Sequence, residues 1–192
     1  MLLTLIWHVL SGILTQLLKG RPQLAYYKDV DTTNPLQRAV LDNNLNLVKI
    51  FLQHDHNLAY IKHEAQENTS FIIAAQYGFV AIAEEILKTC PDSVYTANKH
   101  GFNALHEAIY HEQPDFIDYI IRSPLLRKLI NQASNNGDLA LHFAANKCDP
   151  KLLRSLIYYE GQDCTAINVL NQSALCLVYK KTDSWKTLIW VS

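Results

Sequence analysis

The sequence predicts an all-α repeat fold, a row of stacked helical units rather than one globular core. Two self-similar segments and the composition carry this expectation. In the first segment, ILTQLLKGRPQLAY (13–26) aligns without gaps with LVKIFLQHDHNLAY (47–60) and then with IAEEILKTCPDSVY (82–95). The tyrosines at 26, 60 and 95 therefore step by 34 and 35 residues. The second segment reads NPLQRAV (34–40), TSFIIAA (69–75), NALHEAI (103–109), LALHFAA (139–145) and SALCLVY (173–179). Its anchors Leu36, Phe71, Leu105, Leu141 and Leu175 step by 35, 34, 36 and 34 residues. A period this constant means one supersecondary unit copied along the chain. The composition fits: of 192 residues 49% are hydrophobic, while glycine and proline number only 6 each. Such a chain favours helices over tight-turned strands.

Each copy has a physical logic. A polar turn such as NKHGFN (98–103) or SNNGDL (134–139) opens it. A short apolar helix follows, then a longer amphipathic one. In LNLVKIFLQ (45–53), Leu45, Val48, Phe51 and Leu52 recur at three- and four-residue spacing, which puts them on one face. Ala39, Ala74, Ala75, Ala108, Ala144 and Ala145 let the first helices pack closely. No copy can bury its apolar face alone, so neighbours must stack.

These residues resemble the ankyrin repeat, a β-turn followed by two antiparallel helices with a signature of the form T-P-L-H-x-A-A. NALHEAI and LALHFAA carry the resemblance most clearly. It extends from about residue 13 to about 180. It implies an ankyrin-repeat solenoid of about five repeats, with incomplete or diverged ends. The expected division of a single domain 1–192 is a capping or partial repeat 1–28, repeats 29–62, 63–97, 98–133 and 134–167, and a partial repeat 168–192. The turn glycine of the family stands at Gly101 and Gly137, while the equivalent places hold Thr32, Glu67 and Asn171. That place wants a positive φ, which glycine adopts freely and threonine poorly. The signature histidine stands at His106 and His142 but is Gln37, Ile72 and Cys176 elsewhere. The resemblance implies that this imidazole ties turns together. The ladder should therefore be weaker in the first, second and last complete turns, and most regular in the third and fourth repeats. The recurring Tyr26, Tyr60 and Tyr95 are expected to pack within their own repeats.

Three segments, QHDHNLAY (53–60), CPDSVY (90–95) and LLRKLINQASNNGDLALHFAA (125–145), resemble plant ankyrin proteins of the accelerated-cell-death type. Those proteins carry a C-terminal membrane domain and act in defence and cell-death signalling. This sequence shows no such domain. It reads as a truncated or diverged relative, or as a module of a longer protein.

Several function classes lose support. Lysine and arginine number 17 against 18 aspartates and glutamates, a net charge of −1. A phosphate-binding surface needs a surplus of cations, and Arg127, Lys128, Lys180 and Lys181 form no stripe with interleaved aromatics. Residues 1–18 are apolar but lack a cationic start and are interrupted by Thr4, His8, Ser11, Gly12, Thr15 and Gln16. No other stretch approaches a membrane span. Cys90, Cys148, Cys164 and Cys176 lie 58, 16 and 12 residues apart, without metal or redox spacing. They read as reduced, part-buried thiols of a cytoplasmic protein, whether free, at the cytoplasmic face of a membrane, or nuclear.

Chemistry is sparse. His54, Asp55, His56 and His63 could suggest zinc, but no spacing imposes tetrahedral closure. Cys148 stands between Lys147 and Asp149 with no base held beside it, and the Glu84–Glu85 pair has no pocket-forming context. No nucleophile elbow, phosphate loop, dinucleotide fingerprint or zinc-protease helix occurs. No catalytic residue, metal or cofactor is expected, and no small-molecule substrate.

The expected partner is another protein. By the resemblance, it binds turn tips and exposed ends of first helices. Mapped onto this chain, the contacts are Gln66, Asn68, Gln76, Tyr77, His100, Phe102, Tyr110, His111, Asn136, Asp138 and Lys147. Beyond them the mapping adds Asp31, Thr33, Leu41 and Asp42 at one end, Asn146 beside Lys147, and Gln172, Tyr179 and Lys180 at the other. Tyr77, Phe102 and Tyr110 would cluster at the centre of that face, the usual composition of a hot spot. Membrane association would come only through a partner or a missing domain. The apolar ends (Leu3, Ile6, Trp7 and Leu10; Trp185, Leu188, Ile189 and Trp190) are expected either to cap the stack, as a leading helix 2–11 and a closing helix 183–191, or to drive self-association.

Overall fold

The computed structural model describes residues 2–159 and 163–189, and within these the side chains of 9–159 and 163–181. It divides into two compact units, Met1–Lys99 and His100–Ser192. Among the described residues the regular structure is helical, apart from an isolated bridge between Ile167 and Ser173.

The first unit begins with α1 (Leu2–Gly20) and continues with two helical pairs. These are α2 (Pro35–Leu41) with α3 (Leu45–His54), and α4 (Ser70–Tyr77) with α5 (Val80–Thr89). The second unit holds α6 (Ala104–Tyr110) with α7 (Pro114–Arg122), α8 (Ala140–Lys147) with α9 (Pro150–Ile157), and a long α10 (Ala174–Ile189). Residues 2–11 form no separate leading helix; they run unbroken into α1. The closing segment likewise continues α10 as far as Ile189. The side chains of Leu3, Ile6, Trp7, Trp185, Leu188 and Ile189, and all of Trp190, lie outside the described residues.

Burial follows the repeat. Leu36, Phe71, Leu105 and Leu141 are buried, and so are the six spacer alanines. In α3, Val48, Phe51 and Leu52 are buried and Leu45 is half-buried, so the amphipathic face predicted for that helix points inward. In the long segments Leu18 and Leu52 fill one equivalent core place, and Leu58 is buried as well. A fully buried leucine contributes roughly 1.5–3 kcal/mol, so these recurring places hold each unit together.

A feature not anticipated is a short 3-10 helix after each of α1, α3, α5 and α7: Pro22–Tyr26, His56–Tyr60, Pro91–Tyr95 and Pro124–Leu129. Proline at the first position of three of them was the signal, since its fixed φ favours a helical start. The recurring tyrosines close the first three of these turns. They are only partly packed: Tyr26 and Tyr60 are exposed and Tyr95 is half-buried. The Tyr26 hydroxyl donates to the Asp55 carboxylate, which raises the phenol above its usual range and lowers the acid.

The left-handed turn place behaves as the sequence requires. Gly101 and Gly137 have φ of 74° and 75°, and Thr32, Glu67 and Asn171 follow at 61°, 57° and 55°. A second left-handed place closes the first helices, at Asn43, Gly78, Glu112 and Cys148. Gly101 is held for a further reason. A Cβ there would lie 2.5 Å from the Asn135 backbone nitrogen, which donates to the His100 carbonyl.

Thr32 is the most strained of the left-handed residues, because a β-branched side chain crowds the following carbonyl. Its hydroxyl recovers little, lying 3.4 Å from His63 Nε2. Thr32→Gly should raise stability by about 1 kcal/mol, after allowing for glycine's greater freedom in the unfolded chain. Urea unfolding of both proteins measures it, and an unchanged or lower midpoint would contradict the strain.

Candidate interaction surface

Backbone bonds tie successive turns within each unit. Lys99 donates to Gln66 in the first, and Asn135 to His100 and Val169 to Asn136 in the second. Side chains add a second ladder. His142 Nδ1 accepts from its own Leu139 N–H at 3.2 Å, and Nε2 donates to the Gln172 carbonyl at 3.0 Å. Gln37 bridges its turns in the same way. Its Oε1 accepts from Asn34 N–H, and its Nε2 donates to Ile61 and Asn68 carbonyls. The expected weakening of the first turn is therefore wrong, because a carboxamide presents an acceptor and a donor in the same order as a neutral imidazole. The second turn does lack the bond: Ile72 replaces the histidine, and Thr69 and Thr96 hydroxyls meet instead at 3.0 Å.

The third repeat is not the more regular one. His106 Nδ1 accepts from Asn103 N–H, but its Nε2 is buried without a partner. The ring is sandwiched instead among aromatics, 4.7 Å from Phe143 and 6.0 Å from Phe102. Burial, with a smaller contribution from His142, drives its pKa down to about 3. Both signature histidines therefore serve the fold.

On this scaffold the expected contact residues fall into three sets. The exposed set in the first unit is Gln66 and Tyr77, with Gln76 half-buried. Tyr77 is 49% exposed and its ring stacks on Phe79. A shallow depression of about 160 Å³ lies beside them, lined by residues including Thr33, Leu41, His63, Gln66 and Gln76. The exposed set in the second unit is His100, Tyr110, Asn136 and Lys147, with His111 half-buried. Tyr110 is 56% exposed, and Lys147 lies 5.5 Å from its ring while pairing with Glu112 at 2.7 Å.

The third set is committed to the fold. Asn68 is only 7% exposed; its carboxamide oxygen accepts from Asn98 and its carbonyl serves Gln37 and His63. It is thus removed from the exposed surface, because the next turn covers it. Asp138 accepts from Asn168 at 2.8 Å. Phe102 is half-buried, edge-on to Phe143 at 4.9 Å. Phe143, overlooked in the sequence, is half-buried in the same aromatic cluster. Its signal was an aromatic where the earlier copies carry Arg38, Ile73 and Glu107.

Other chemistry has little support. Among the described residues no group of three His, Cys, Asp or Glu side chains could hold a metal ion. The four thiols are unbridged, with Cys148 and Cys164 exposed, contrary to the part-buried expectation, and Cys90 buried. A half-open cavity of about 490 Å³ borders Cys148, lined by residues including Ile109, Ile117, Leu152 and the Glu112–Lys147 pair. No described helix is long and apolar enough to cross a membrane.

Residues 36–126 match the family model for ankyrin repeats in three copies. No curated protein matches the chain by sequence. Its fold is similar to the crystal structure of EF0377, an ankyrin repeat protein, with a TM-score of 0.71 and 19% identity. The likeness covers 88% of this chain and 86% of that one.

Proposed function

We propose that this chain, an ankyrin-repeat protein, is a non-enzymatic module that captures another protein through its turn tips and the exposed ends of its first helices. Ankyrin repeats generally mediate protein–protein interaction, and the surface supports that use here. The observation that carries it is the pair Tyr77 and Tyr110. Each ends a short first helix whose inner face is buried, and each leaves half its ring in solvent. A rigid backbone presenting an amphipathic ring loses little entropy on binding. Gln66 and Gln76 beside the first tyrosine, and His100, His111, Asn136 and Lys147 in the second unit, supply polar contacts around them. Phe102 contributes mainly by holding its aromatic cluster.

The pathway reading is plant defence or cell-death signalling. It rests on the likeness of residues 53–60, 90–95 and 125–145 to accelerated-cell-death proteins. The compartment proposed with it is the cytoplasm. The partner is bound as folded chain or peptide, with no cofactor.

The test compares wild type with Tyr77→Ala/Tyr110→Ala as bait in plant extract. Loss of two hot-spot rings costs at least about 2 kcal/mol, or roughly a 30-fold drop in affinity. The captured protein should disappear from the variant's eluate while helical circular dichroism is unchanged. Equal capture by both would move the site elsewhere.

A further inference from the structure

We propose that Asn136 is a site of spontaneous covalent modification: the Gly137 nitrogen displaces its side-chain amide, and the residue becomes aspartate or isoaspartate. The fold requires glycine at 137. Its φ is 75°, and a Cβ there would lie 3.2 Å from Asn168 Cα. Nothing on Gly137 therefore shields its backbone nitrogen from the residue before it. That residue is an exposed asparagine at the tip of a turn. Its backbone is held, since its N–H donates to Ser134 Oγ and its carbonyl accepts from Val169 N–H, but among the described residues its carboxamide meets no hydrogen-bond partner. The same turn place reads Asp31–Thr32, Gln66–Glu67, His100–Gly101 and Leu170–Asn171 in the other copies. No other asparagine in the sequence precedes glycine, so this turn alone sets a free asparagine amide against an unshielded nitrogen.

The chemistry needs only water. The Gly137 nitrogen gives its proton to water or hydroxide and attacks Asn136 Cγ. The new C–N bond closes a cyclic imide as the Cγ–Nδ2 bond breaks, and the side-chain nitrogen leaves as ammonia. Water then opens the imide at either carbonyl. One opening gives aspartate. The other gives isoaspartate, in which the chain runs through Cβ and Cγ and the former main-chain carbonyl becomes a free carboxylate. That carbonyl is the one that accepts from Val169 N–H at 2.9 Å. Modification thus adds a negative charge to the turn tip and, as isoaspartate, removes the rung to the next turn. One bond opposes the reaction: Gly137 N–H donates to the Ser134 carbonyl at 2.9 Å, so the nitrogen attacks only while this bond is open. Local opening of a single turn bond is frequent, and the folded chain should react roughly tenfold more slowly than the unfolded one.

The test holds the full chain for several weeks at mildly alkaline pH and body temperature, beside a sample in denaturing urea, with peptides mapped by mass spectrometry. The peptide containing Asn136 should gain the mass difference between an amide and an acid, and should accept methyl groups from an isoaspartyl methyltransferase. Asn136→Gln keeps an exposed carboxamide but must close a larger, less favourable ring, so it should stay unmodified at this position. In the converted folded protein the Val169 amide should exchange at least about tenfold faster than in fresh protein. Conversion in urea with none in the folded chain would overturn the proposal, because the turn bond would then protect the site. So would equal conversion of Asn136→Gln, or Val169 exchange that stays unchanged as isoaspartate accumulates.

Discussion

Replacing Asn103 by alanine should cost about 3 kcal/mol, the largest single loss foreseen for this fold. Asn103 is fully buried at the start of α6. Its side-chain oxygen caps the helix by accepting from His106 N–H at 3.0 Å. Its amide donates to the Leu129 carbonyl at 2.8 Å and to Gln132 Oε1 at 3.2 Å. Removing a cap costs about 1 kcal/mol, and stranding a buried carbonyl adds about 1–3 kcal/mol. The chain contains its own control. Asn34 makes the same cap, on Gln37 N–H, but its amide nitrogen is buried without a partner. Asn34→Ala should therefore cost only about 1 kcal/mol. Urea unfolding of both variants checks the difference; equal losses would show that the bonds to Leu129 and Gln132 contribute nothing.

Acidification should destabilise the protein well above the range where most carboxylates titrate. His106 takes up a proton near pH 6.5 in the unfolded chain but near 3 in the folded one. Below pH 6.5 the unfolded state thus binds more protons, and stability falls with pH at up to about 1.4 kcal/mol per unit. The contribution is intact above pH 6.5 and is lost progressively between pH 6.5 and about 3. Between pH 8 and pH 5 the loss should reach about 2 kcal/mol. His106→Gln should flatten the slope, because Gln37 already makes the corresponding bonds in its own repeat. Thermal unfolding from pH 8 to 5 on both proteins reads the effect. Parallel slopes would show that His106 reaches water.

Much of the architecture was readable because it depends on the backbone. A left-handed turn place forces a positive φ on whatever residue occupies it, so Thr32, Glu67 and Asn171 were identified by register alone. Anchors such as Phe71 were equally plain, since an apolar residue at a constant step has no other use. The candidate surface was less legible. The repeat frame places Asn68 at a turn tip, yet the following turn closes over it and its amide becomes part of the ladder. Gln37 looked like a lost histidine because residue names hide that the two groups share a donor–acceptor geometry. The joining of residues 2–11 to α1 also escaped notice, since Ser11 and Gly12 mimic a break that the helix tolerates.

The reach of the hydrogen bonds between successive turns has a kinetic consequence. Gln37 to Asn68 spans 31 residues, His142 to Gln172 spans 30, and Lys147 to Glu112 spans 35. Each closes a loop about one repeat long, so the entropy of closure is the same at every step along a unit. Such a unit has no need to gather distant strands before any contact rewards it. Folding can start wherever the local bonds are densest and spread outward one repeat at a time. Opening should run in reverse, from the edges of each unit inward, so protease sensitivity and fast amide exchange belong to the outer elements of each unit.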